Sequence, residues 1–79
     1  MRATEVITAT KIDTMDDVLV VYLNDRAVSV RWEVCSPALA SATREQRQHA
    51  ELSPGGYGIH WPLIDEDLSI GGLVKGQSM

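Results

Sequence analysis

The chain has 79 residues and carries seven Lys and Arg against eleven Asp and Glu, a net charge of −4. That length predicts one α+β domain over residues 1–79, with a thin core, since a chain this short buries only about 60–65 % of its unfolded surface. The charge offers no overall positive surface for a phosphate backbone, so nucleic-acid binding by this chain alone is not expected, although Arg44 and Arg47 lie close together; the acidic balance suits solubility or a basic partner.

Thr4 to Ile12 is rich in Thr, Val and Ile and reads as a first strand. Asp13 to Asp17 is a turn. Val18 to Leu23 is a second strand, apolar on both sides except for Tyr22, and therefore central. Asn24-Asp25 tolerates the positive φ of a tight hairpin. Ala27 to Val34 is a third strand, with Val28, Val30, Trp32 and Val34 on its buried side and Ser29, Arg31 and Glu33 on its wet side. The period then changes. Ser36-Pro37 starts a short helical turn, and Thr43 with Gln46 makes a capping box for a polar helix that ends near Leu52. Ser53 to Gly58 is a loop. Ile59 to Ile64 is a short extended segment, placed at a sheet edge because Pro62 lacks an N–H. Ser69 caps a last short helix, weakened by Gly71 and Gly72, and the segment from Lys75 to Met79 is expected to fray. The predicted order is an N-terminal three-stranded antiparallel sheet, one or two short helices, a short edge strand and a short C-terminal helix.

Cys35 is the sole cysteine, so no internal disulfide exists. With no signal-peptide core and no membrane-length apolar run, the expected location is the cytoplasm.

The residues Pro37, Leu39, Ala42, Thr43 and Arg47, then Gly56, Gly58, Ile59, His60 and Trp61, then Asp65, Glu66, Asp67, Leu68, Ser69, Gly72 and Leu73, form a pattern of unusual composition and order. It resembles the short type of a small bacterial family called domain of unknown function 2442, over nearly the whole chain. The family's hairpin is usually Asp-Gly, where this chain has Asn24-Asp25-Arg26; an aromatic is usual where Ala50 stands, and a Glu where Gly71 stands. The resemblance implies an α+β fold, no established enzyme activity and no cofactor. It also implies a setting: relatives are often encoded beside another small protein and are suspected members of toxin–antitoxin-like pairs.

The candidate interaction residues are Tyr57, His60, Trp61, Asp65, Glu66 and Asp67. The acids have a structural explanation, because they precede a helix start and its exposed N–H groups favour negative charge. His60 with Asp65, Glu66 and Asp67 would alternatively bind a small ligand or a metal, but zinc and calcium both want a fuller set of ligands, and no metal site is assigned. No catalytic residue is assigned either: neighbouring acids in one turn make no sugar-binding cleft, and nothing at fixed spacing joins Cys35 to His49 or His60. Cys35 is expected to pack at a strand end, with a thiol of lowered pKa beside the helix start as the alternative. Trp32 is expected in the core, and Trp61 either in the core or at an interface. The leading expectation is a non-catalytic interaction module, antitoxin-like towards a neighbouring gene's product. A thin core and a free sheet edge also favour a homodimer.

Overall fold

Branched residues build the first sheet. The structure, a computed structural model, describes residues 7–76. Strands β1 (Lys11–Thr14), β2 (Val18–Tyr22) and β3 (Ala27–Arg31) pair antiparallel in the order β1-β2-β3. Leu19 and Val21 of the central strand are buried, and Val21 faces both Ile12 and Val28. The first strand lies later than predicted. Its ladder starts at Lys11 and includes Asp13 and Thr14, which the sequence assigns to a turn. The predicted residues 4–6 fall outside the described residues. At the β2–β3 hairpin, Leu23 N–H donates to Arg26 O at 2.7 Å, and neither Asn24 nor Asp25 takes the expected positive φ.

The third strand is shorter than its alternation predicts. At Trp32 the chain turns into a helical turn, α1 (Trp32–Cys35). Trp32 and Cys35, three apart, are buried, while Val34 is 56 % exposed and leaves the core. Helix α2 (Pro37–Ala40) follows, capped by Ser36 Oγ accepting from Leu39 N–H. Helix α3 (Arg44–Gln48) starts at Thr43 with both bonds of the capping box formed. It ends before the predicted Leu52, because Glu51 and Leu52 pair as a strand.

That pair belongs to a second sheet, which the sequence reading lacks. Strands β4 (Glu51–Leu52), β5 (Gly58–Trp61) and β6 (Glu66–Ser69) pair antiparallel in that order. The segment predicted at an edge is therefore central, and Pro62 stands just beyond it. Helix α4 (Ile70–Gly76) closes the described chain, with Ser69 Oγ accepting from Gly72 N–H at 3.0 Å. The fraying expected at the C-terminus concerns, in part, residues 77–79, outside the described residues.

One apolar cluster joins the two sheets. Leu19, Val21 and Val30 come from the first; Ile59 and Trp61 come from the second; Leu39, Ile70, Leu73 and Val74 close it. Trp32 and Trp61 meet edge to face, ring centroids 6.3 Å apart. Each indole N–H is satisfied by a carbonyl, Met15 O for Trp32 and Arg47 O for Trp61.

Candidate interaction surface on the second sheet

The β5–β6 hairpin gathers most of the predicted residues. Its register pairs His60 with Asp67 and Trp61 with Glu66, so the side chains alternate between core and outer face. Ile59 and Trp61 point inward, and His60 points outward. Glu51, opposite His60 on β4, completes a Glu51–His60–Asp67 row across the outer face. His60 Nδ1 and Asp67 Oδ1 are 2.7 Å apart. This is a two-membered polar pair. Among the described residues, no group of three His, Cys, Asp or Glu side chains could hold a metal ion.

Asp65 sits in the turn between β5 and β6 with φ 51°, a left-handed conformation that Asp tolerates better than most residues. Glu66 and Asp67 lie in β6. The acids therefore do not stand at a helix start, as the sequence reading has them; a strand separates them from α4. Asp and Glu are disfavoured in strands, which is why their run reads as a cap. Asp65 and Glu66 make no ion pair among the described residues.

Tyr57 is 57 % exposed, at the entry to β5. Its ring lies over Gly55, whose φ of 83° a Cβ would not tolerate and whose Cβ would stand 2.6 Å from Tyr57 Cε2. Gly56 is more constrained: φ is 75°, and a Cβ would stand 2.1 Å from Ala9 O. Ala9 N–H donates to Gly56 O at 2.8 Å, so this glycine lets the incoming chain lie against the second sheet. Trp61 is fully buried, which resolves it as a core residue and removes it from the surface.

Arg44 and Arg47 make no positive patch. Arg44 pairs with Asp16 at 3.2 Å. Arg47 turns inward, its Nε donating to Leu39 O and Nη2 to Ala40 O, with the guanidinium 5.4 Å from the Trp32 ring centroid. An open cleft of about 520 Å³ beside them mixes Asp16, Asp17 and Glu33 with Arg31 and Arg47. Glu33 is held below the usual carboxylate range, first by its own backbone N–H and then by Arg31. Cys35 is buried, and burial pushes its thiol up to about 11. Desolvation of the thiolate outweighs the helix start, so the alternative of a lowered pKa is overturned.

The sequence reading missed a groove of about 140 Å³ beside α1 and β6, lined by Val30 of β3, Val34 and Cys35 of α1, Leu68 and Ser69 of β6, and Gly72 and Leu73 of α4. Its signal, Val34, was hidden in the strand alternation.

The family described as "Protein of unknown function (DUF2442)" matches residues 9–78. The chain belongs to this family. As a DUF2442 member it shares its fold with a protein of unknown function from Rhodospirillum rubrum, known from a crystal structure: TM-score 0.79, 27 % identity, covering 89 % of this chain and 87 % of that one. It is also similar to an uncharacterised protein from Chromobacterium violaceum, solved by NMR, with TM-score 0.72 and 32 % identity, covering 91 % of this chain and 68 % of that one. No curated protein matches the chain. Among the described residues, no helix is long and apolar enough to cross a membrane.

Proposed function

We propose that the protein is a non-catalytic protein–protein interaction module working through the β5–β6 hairpin. The observation that carries this reading is the edge of β6. Among the described residues only β5 pairs with it, and the acids at its start, Asp65 and Glu66, have no cation of their own. A free strand edge is a pairing template for another chain, and unpaired acids favour a partner of opposite charge. The resemblance to relatives in toxin–antitoxin-like pairs makes an antitoxin-like role the concrete form: this cytoplasmic, acidic protein would hold a small toxin-like protein encoded beside it. Self-pairing into a homodimer is the free form of the same surface.

The test mixes the purified chain with the neighbouring gene's product on a sizing column. A new, earlier peak holding both proteins is expected. Two independent peaks at micromolar concentrations would overturn the partner role.

A further inference from the structure

Resting on that reading, we infer that the seat of the interaction is the groove beside α1 and β6, and that its occupant is an extended segment carrying alternating aliphatic and cationic side chains. Three observations place it.

The first is the direction of the β6 backbone. Ile70 N–H donates to Tyr57 O at 2.9 Å, one step beyond the Gly58–Ser69 pair. Hydrogen-bonded pairs alternate along an antiparallel ladder. Leu68 and Glu66 therefore bond toward β5, and Asp67 and Ser69 turn their N–H and C=O groups to the open edge.

The second is the position of the groove. Leu68 and Ser69 point to opposite faces of the sheet, yet both line it. It therefore runs along the edge of β6. An added segment that bonds to Asp67 and Ser69 lies beside it and can drop an aliphatic side chain between Val34 and Leu73.

The third is charge. The strand runs toward the groove from Asp65, Glu66 and Asp67, and among the described residues Asp67 alone of the three has an ion-pair partner, His60. Glu33, next to Val34 in sequence, is already paired with Arg31 at 3.1 Å, so the open acids are those at the start of β6. A segment with Lys or Arg between its aliphatic residues complements these acids, while one bearing acids is repelled.

The experiment is an amide-shift titration of the full chain by NMR, using a short peptide of alternating lysine and valine and a control of alternating glutamate and valine. The lysine peptide is expected to move the amides of Val34, Asp67, Ser69 and Leu73, the glutamate peptide to leave them in place. Val34 is 56 % exposed and lies outside the buried core, so Val34→Lys is expected to fold, and it is expected to weaken binding by about tenfold or more by placing a charge where the aliphatic side chain seats. Shifts elsewhere, an equal response to both peptides, no response, or unchanged binding by Val34→Lys would overturn the inference. The two readings fail separately. A mixed complex with the neighbouring product that Val34→Lys leaves intact would keep the interaction module and refute the groove. Peptide binding in the groove with no mixed complex would keep the groove and refute the partner.

Discussion

At Cys35, burial decides the chemistry of the thiol. Its pKa is raised from 9.0 to about 11 because the thiolate is denied water. The unfolded chain therefore releases this proton first. Folding stability falls as pH rises from about 9 towards 11, by at most about 1.4 kcal/mol per pH unit. Other groups titrate in that window, so the readout is a difference: the stability gap between the wild type and Cys35→Ala should narrow with rising pH in urea unfolding. A gap constant from pH 7 to 10.5 would refute the burial account. Arg47 is a second residue with a definite task. It supplies donors to the last carbonyls of α2 and covers Trp32. Arg47→Lys keeps the charge but loses the planar fork, and should cost about 1–3 kcal/mol, seen as a lowered melting temperature. A lysine variant as stable as wild type would show that charge alone sufficed.

At the scale of elements, the two glycines of α4 make opposite predictions. A Cβ at Gly71 meets nothing within 4 Å, so Gly71→Ala should stabilise the helix by about 0.5–1 kcal/mol. A Cβ at Gly72 would stand 2.8 Å from Ser69 Oγ, the atom that caps the helix, so Gly72→Ala should gain nothing or lose stability. Thermal unfolding of the two variants side by side checks both. Elements with strong local chemistry were legible in the sequence: the caps at Ser36, Thr43 and Ser69, and the apolar central strand β2. The second sheet was not. Its strand β4 has two residues, and β6 reads Glu-Asp-Leu-Ser, which carries no β-branched residue. Both form because the buried Ile59 and Trp61 of β5 need neighbours, a tertiary demand without a local signature. The end of β3 misled for a related reason: Val30, Trp32 and Val34 fit a strand period, but the core takes Trp32 and Cys35. Of the candidate surface, the sequence located His60 and the acids, and it could not see that Trp61 faces inward while Val34 faces out.

For the whole molecule, two small sheets share one core around the Trp32–Trp61 contact, and neither sheet buries its face without the other. The outer row of Glu51, His60 and Asp67, the turn residue Asp65 and the edge of β6 that is open among the described residues all lie on the second sheet. The core is closed behind them, and this face is the one the proposed docking uses. The central claim is that another protein docks there. The most direct measurement is mass in solution by light scattering at two concentrations, for the chain alone and with the neighbouring gene's product. The account predicts a mixed species whose mass is the sum of both partners. A mass for the chain that stays the same at both concentrations and in the presence of that product would contradict it.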